Sequence, residues 1–112
     1  MSEFIVAANA ADVPEGKIRL VIVEGRKVAL YHTSGGFFAT ENSCPHRGGP
    51  LSEGDLIGTE VVCPWHLWNF NVTNGTTDID CDVTLITHEV RVEDGRVFIR
   101  LSPERPLLPE LL

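Results

Sequence analysis

The stretches Cys44-Pro45-His46-Arg47-Gly48 and Cys63-Pro64-Trp65-His66 each place a cysteine and a histidine within a few residues of one another. Written together they read Cys-x-His, sixteen residues, and Cys-x-x-His. The chain contains three cysteines and four histidines, and four of these seven residues fall in this pattern. Two thiolates and two imidazoles form a complete ligand set for one small metal centre. A proline directly follows each cysteine, which favours a rigid loop over a helix or a central strand.

This pattern resembles the motif of the Rieske iron–sulfur family. In that family two cysteines hold one iron of a [2Fe–2S] cluster and two histidines hold the other. The resemblance implies that Cys44 and Cys63 hold the first iron and that His46 and His66 hold the second. Thiolates are soft donors that suit iron, whereas imidazoles are weaker donors that make the cluster less negative. The iron bound by histidine then accepts an electron more easily, which raises the potential above that of all-cysteine ferredoxins.

A structural zinc site with two cysteines and two histidines is the alternative metal centre. Zinc fingers usually place both cysteines before both histidines. Here each half of the pattern holds one residue of each type, which favours the iron–sulfur interpretation. A zinc-stabilised β interaction module therefore stays open as the alternative function from another class.

The length of 112 residues predicts a single domain that spans residues 1–112. Apolar residues make up 43% of the chain, which is enough for a modest core that bound metal would stabilise further by tying loops together. No apolar run reaches the roughly 18 residues of a membrane span. The start of the chain also lacks the basic and apolar regions of a signal peptide. We therefore expect a cytoplasmic monomer without a membrane anchor.

The net charge of −7 limits the classes of binding partner. It disfavours nucleic acid, because phosphates require a basic protein face. An acidic carrier protein would suit a basic docking surface on a partner, with a fast and salt-sensitive encounter. Simple solubility explains the charge equally well.

Short apolar segments separated by glycine turns predict an antiparallel β fold. The segment 41–58 between them is longer than ordinary loops and carries two candidate ligands, so we predict a functional loop there. Within it, Gly48 and Gly49 would let the backbone approach a bulky cluster. The predicted strands cover residues 4–8, 17–24, 28–32, 37–40, 59–62, 68–72, 83–92 and 96–101.

The resemblance to small soluble Rieske ferredoxins extends over nearly the whole chain, including Ser52-Glu53-Gly54 and the closing hairpin at 90–97. It implies an all-β fold, with a Rieske-type antiparallel β sandwich or barrel as the base and an inserted cluster-binding lobe. The base would comprise about residues 1–41 and 72–112, and the lobe about residues 42–71. Many members have glycine after the second histidine, whereas the stretch His66-Leu67-Trp68-Asn69-Phe70-Asn71 looks more like the ferredoxin of toluene monooxygenase systems.

By this resemblance the chain is an electron carrier and not itself an enzyme. It would pass single electrons from an NAD(P)H-dependent flavin reductase to a terminal oxygenase through one [2Fe–2S] cluster. High-potential members of the family add a cysteine pair between the ligand loops and hydroxyl side chains near the cluster, which this chain lacks. We therefore predict a low-potential centre. The alternative within redox proteins is the small Rieske subunit of an assimilatory nitrite reductase.

The remaining chemically distinctive residues have ordinary interpretations. Cys81 is predicted to be a buried or half-buried free thiol. His32 and His88 lie in predicted strands without partners at ligand spacing, so we expect surface or edge residues. Trp65 and Trp68 are predicted to pack beside the second ligand loop. The acidic stretch at 78–82 lacks the glycine of a calcium loop, and the tail from residue 102 is predicted to pack partly on the base.

Overall fold

The computed structural model of the chain describes residues 3–44, 49–65, 68–77 and 84–103. Single turns of 3₁₀ helix occur at Ala10–Asp12 and Leu51–Glu53. Among the described residues, no helix has the length and apolar character that crossing a membrane would require. The strands in these ranges are β1 (Ile5–Asn9), β2 (Ile18–Val23), β3 (Arg26–Thr33), β4 (Gly36–Glu41), β5 (Asp55–Ile57), β6 (Glu60–Val62), β7 (Asn69–Asn71), β8 (Thr87–Glu93) and β9 (Arg96–Arg100).

The strands form two antiparallel sheets of unequal size. The larger sheet has six strands in the order β1-β9-β8-β4-β3-β2. Its edge strands β1 and β2 contact each other, so the sheet curls towards a closed barrel. The smaller sheet has the order β5-β6-β7 and is inserted in the sequence between β4 and β8. These observations confirm the predicted all-β fold.

Strand β3 is the wall that the two apolar clusters of the protein share. Because side chains alternate along a strand, Val28 and Leu30 face the interior of the six-stranded sheet, whereas Ala29 and Tyr31 face the smaller sheet. All four side chains are fully buried. The Tyr31 hydroxyl lies 2.8 Å from Thr40 Oγ1, and burial raises the pKa of Tyr31 far above its usual range. The smaller sheet is therefore fixed to the base through one face of β3.

The prediction of one uninterrupted loop over residues 41–58 is wrong at its C-terminal end. Asp55–Ile57 is a strand that pairs with β6, with Leu56 opposite Val61. Three residues are too few to show the alternating pattern on which strand prediction depends. Gly54 lets this segment approach β6, because a Cβ atom there would lie 2.0 Å from the carbonyl oxygen of Val62.

The prediction that His88 is a surface or edge residue is also wrong, because His88 is buried. The Ser102 N–H donates to His88 Nδ1 over 2.9 Å, so the proton of the neutral ring lies on Nε2. His88 Nε2 then donates to Glu41 over 2.9 Å. Arg26 donates to the same carboxylate and to the Ser102 carbonyl. This network ties the end of β9 to β3, β4 and β8.

We predict that the network makes stability depend on pH. Burial, followed by repulsion from Arg26, lowers the pKa of His88, although Glu41 opposes both effects. The unfolded chain therefore binds a proton at His88 more readily than the folded chain does. The stabilising effect is complete above about pH 6.5 and is lost as the pH falls, by at most about 1.4 kcal/mol for each pH unit.

The thermal unfolding midpoint of the holoprotein, measured between pH 7.5 and 5.5, tests this prediction. Wild-type protein should lose stability on acidification, and His88→Gln should be less stable at pH 7.5 but show a shallower pH dependence. The matched variant His32→Gln should retain the wild-type dependence. A His88→Gln slope equal to that of the wild type would contradict the assignment.

Candidate metal centre

Each candidate ligand loop is closed at its base by one backbone hydrogen bond of the same type. The Cys44 N–H donates to the Gly49 carbonyl over 2.8 Å, and the Cys63 N–H donates to the Trp68 carbonyl over 2.7 Å. In both cases the donor and the acceptor are five residues apart. Each closed loop contains a cysteine at its first position and a histidine further along. The two halves of the motif are therefore similar in backbone connectivity as well as in composition.

The first loop is anchored to the base through Asn42, which is buried and whose N–H donates to the Lys27 carbonyl of β3 over 3.1 Å. The Asn42 carbonyl accepts from the Leu51 N–H over 2.7 Å, and its side-chain Oδ1 accepts from the Ser52 N–H over 2.8 Å. The second loop begins and ends in the smaller sheet, where Val62 pairs with Asn69. The larger and smaller sheets therefore each hold one of the two loops.

The two cysteines meet in the second apolar cluster, where both are buried as free thiols. The Cys44 and Cys63 thiols are within hydrogen-bonding contact. Burial raises the pKa of Cys63, the backbone N–H of Trp65 opposes this by donating to the sulfur, the Cys44 thiol adds to the rise, and the resulting value is about 11. Metal binding requires deprotonated thiolates, so it must offset the free energy needed to remove this proton.

Gly49 is the point at which the two loops pack against each other. A Cβ atom at this position would lie 2.9 Å from Cys63 Sγ and 3.0 Å from Trp65 Cγ. The backbone of the first loop therefore contacts the second loop where no side chain fits. The sequence predicted that glycine here would allow close approach to a cluster. The structure adds that Gly49 makes room for Cys63, a candidate ligand, and for the indole of Trp65.

The two tryptophans differ in their environment. Trp68 packs against the second apolar cluster, in agreement with its predicted place beside the loop. Trp65 packs against Gly49 beside Cys63, and it is 50% exposed. The Trp65 ring packs on Gly49 at the outer edge of the contact between the two loops, so its other side faces solvent.

Other predicted residues lie outside the described part of the chain. These are the predicted histidine ligands His46 and His66, Cys81, which was predicted to be a free thiol, and the whole acidic stretch at 78–82. The described residues alone contain no group of three or more potential metal-binding side chains. What the structure brings together is the pair Cys44 and Cys63.

The described half of the site fits an iron–sulfur cluster. Two soft thiol donors lie side by side in a buried, largely apolar environment. The backbone N–H of Trp65 donates to the Cys63 sulfur, and hydrogen bonds of this kind tune the reduction potential of iron–sulfur centres. The loop-closing hydrogen bonds and the role of Asn42 were missed by sequence reasoning. The proline after each cysteine was the one available signal of similar loops.

Comparison with known proteins agrees with this site. Residues 3–89 match the model of the Rieske [2Fe-2S] domain. The ferredoxin component of the naphthalene 1,2-dioxygenase system of Pseudomonas aeruginosa is 38% identical over 102 residues, covering 89% of this chain and 97% of the relative. The ferredoxin in a complex of reduced oxygenase and oxidised ferredoxin of carbazole 1,9a-dioxygenase is 34% identical, with a TM-score of 0.82 over 92% of this chain and 97% of that chain.

The chain belongs to the Rieske [2Fe-2S] family, among the ferredoxin components of bacterial aromatic-ring dioxygenase systems. Its cofactor is a Rieske [2Fe–2S] cluster, which the comparisons favour over the zinc alternative. A Mycobacterium tuberculosis protein described as an NADH-dependent nitrite reductase small subunit superposes with a TM-score of 0.83 over 93% of this chain and 99% of that chain, but is 21% identical. That similarity shows the shared fold alone.

We predict that Gly49→Ala lowers cluster content several-fold. The added methyl group would press on Cys63 Sγ and Trp65 and separate the two thiols, at a cost of about 1–3 kcal/mol. Iron and acid-labile sulfide per chain measure the effect, and far-UV circular dichroism checks that the β fold persists.

The matched control is Gly35→Ala in the β3–β4 turn, where the new Cβ would lie 3.7 Å from Thr33 Oγ1 in ordinary contact. Neither glycine has a positive φ angle, so the pair isolates the steric effect. Full iron content in Gly49→Ala would show that the loops do not need this contact.

Proposed function

We propose that this chain relays single electrons to the terminal oxygenase of a multicomponent dioxygenase system. The observation that carries the proposal is its similarity, over nearly the full length of both chains, to a ferredoxin component of such a system. The buried pair of thiols, Cys44 and Cys63, supports the same proposal, because a Rieske cluster needs two cysteine ligands. The chain is the electron-transfer component and not the catalytic enzyme.

In this proposal Cys44, His46, Cys63 and His66 hold the cluster, the two thiolates on one iron and the two imidazoles on the other. The bound cluster would accept and release one electron at a time. The chain positions the sulfur ligands on two closed loops and excludes water from them by burial. A rigid site of this kind limits rearrangement when the charge changes, which favours fast electron transfer.

The centre has a low potential in this proposal. Residues 45–49 and 64–68 contain no further cysteine and no serine, threonine or tyrosine that could add a hydroxyl hydrogen bond to the sulfurs. Hydrogen bonds to sulfur raise the potential of iron–sulfur centres by stabilising the reduced, more negative state. Potentiometry should give a midpoint in the lower half of the Rieske range, below about 0 mV. A midpoint above about 100 mV would contradict this assignment.

The finer features of the carrier are part of the same proposal. The electron donor is an NAD(P)H-dependent flavin reductase, and the carrier acts as a cytoplasmic monomer that docks transiently. One Rieske domain spans residues 1–112, with a base at about 1–41 and 72–112 and a cluster-binding lobe at about 42–71. The smaller sheet lies within that lobe, and the six-stranded sheet within that base.

The test is reconstitution of a dioxygenase system that lacks its own ferredoxin. The reductase and oxygenase of the naphthalene 1,2-dioxygenase system are mixed with NADH and naphthalene, and product is measured with and without the holoprotein. Catalytic amounts of the chain should restore product formation at least ten-fold, and the Cys63→Ser variant should not. A reduced holoprotein that passes no electrons to the oxygenase would contradict the proposal.

A further inference from the structure

The net charge of the protein comes entirely from one continuous part of its sequence. Residues 48–90 contain seven acidic residues and no lysine or arginine, whereas the rest of the chain contains nine acidic and nine basic residues. This segment includes the whole smaller sheet and the second ligand loop. Residues 1–47 and 91–112 are therefore neutral overall, and the segment 48–90 between them is strongly acidic.

Trp65 is an exposed aromatic residue in a fixed position within this acidic segment. One side of its ring rests on Gly49 and its backbone N–H donates to Cys63 Sγ, yet half of the residue's surface is exposed to solvent. A side chain that is already held in place loses little conformational freedom when a partner covers it. Tryptophan is also among the residue types that dominate the binding energy of protein interfaces.

Exposed carboxylates lie at the same end of the smaller sheet as the ligand loop. Asp55 pairs with Val62, the residue before Cys63, whereas Ile57 pairs with Glu60 at the opposite end. Glu53 lies in the 3₁₀ turn that follows the first loop. Both Glu53 and Asp55 are exposed.

Lys17 of the base lines a groove together with Asp55 and offsets part of its charge. Glu53 is therefore the carboxylate whose removal should change long-range attraction most clearly. Glu24 lies in the β2–β3 turn, outside the acidic segment 48–90, and is therefore a suitable control.

We propose that Trp65 is the apolar anchor of a docking face with Glu53 and Asp55 at its rim. The partner is the terminal oxygenase, which offers an apolar depression with a basic rim to this face. This inference rests on the proposed function. Charge complementarity steers an acidic face towards a basic one, and the anchor then holds the complex together. Docking here brings the oxygenase next to the loop that holds Cys63, where the electron must leave.

Stopped-flow reduction of the naphthalene 1,2-dioxygenase oxygenase component by the prereduced holoprotein tests the anchor. Trp65→Ala should lower the second-order rate constant at least ten-fold. Ile57→Ala removes a side chain that is 66% exposed at the far end of the same sheet, and it should stay within two-fold of the wild type. Reduction of ferricyanide, a small acceptor that needs no docking face, measures any effect of Trp65→Ala on the cluster itself, and the rate with the oxygenase should fall much further than the rate with ferricyanide. Equal paramagnetic resonance spectra check that the cluster is intact.

Ionic strength tests the rim. The rate constant for the oxygenase should fall with added salt, and Glu53→Gln should make this dependence shallower, because a rim charge acts mainly on the rate of encounter. The matched variant Glu24→Gln should retain the wild-type dependence.

The outcomes separate the two proposals. If the wild type reduces the oxygenase and Trp65→Ala does so equally fast, the docking face is wrong and the function stands. If Trp65→Ala slows ferricyanide as much as the oxygenase, Trp65 acts on the cluster and not on docking, which also overturns the inference. If the wild type reduces ferricyanide but never the oxygenase, the proposed function fails and the docking face fails with it.

Discussion

The contact between the Cys44 and Cys63 thiols is the constraint on which the rest of the structure depends. The two residues come from loops held by different sheets, so their sulfurs meet only when the smaller sheet is correctly packed on β3. Because Gly49 has no side chain, the first loop can lie close to Cys63, where a Cβ atom would crowd the sulfur. A close-packed interior tolerates little change in volume. The two thiols therefore meet only if the two sheets are correctly aligned and Gly49 leaves room between the loops. The site is therefore a product of tertiary packing, although its ligands are local in sequence.

The base and the smaller sheet have different physical tasks. The base closes on itself through an apolar interior and through the buried network of Arg26, Glu41 and His88, which also fixes the chain beyond β9. The smaller sheet contributes less core, and its apolar side chains surround the cysteines. Its strands and the turn before them carry three carboxylates and no lysine or arginine, and the exposed Trp65 lies beside Cys63. A rigid base with an exposed region of this kind suits the proposed carrier, which must release its partner after each electron.

Much of this could be predicted from the sequence because the strongest signals are local. The cysteine and histidine spacing indicated the family, and the glycine turns located most strands, including the Glu24-Gly25 turn, where both residues have positive φ angles. Strand β5 was missed because three residues carry no readable period. The burial of His88 was missed because its partners Glu41 and Ser102 are 47 and 14 residues away. The exposure of Trp65 could not be predicted, because apolar character alone does not distinguish a core side chain from one that stays exposed.

The central claim is that two cysteines and two histidines of this chain share one [2Fe–2S] cluster. Electron paramagnetic resonance of the anaerobically purified, dithionite-reduced protein tests it most directly, with iron and sulfide counted on the same sample. The account predicts two irons and two sulfides per chain and a rhombic signal whose average g value lies below that of all-cysteine ferredoxins. A colourless, silent sample that contains one zinc per chain would contradict it.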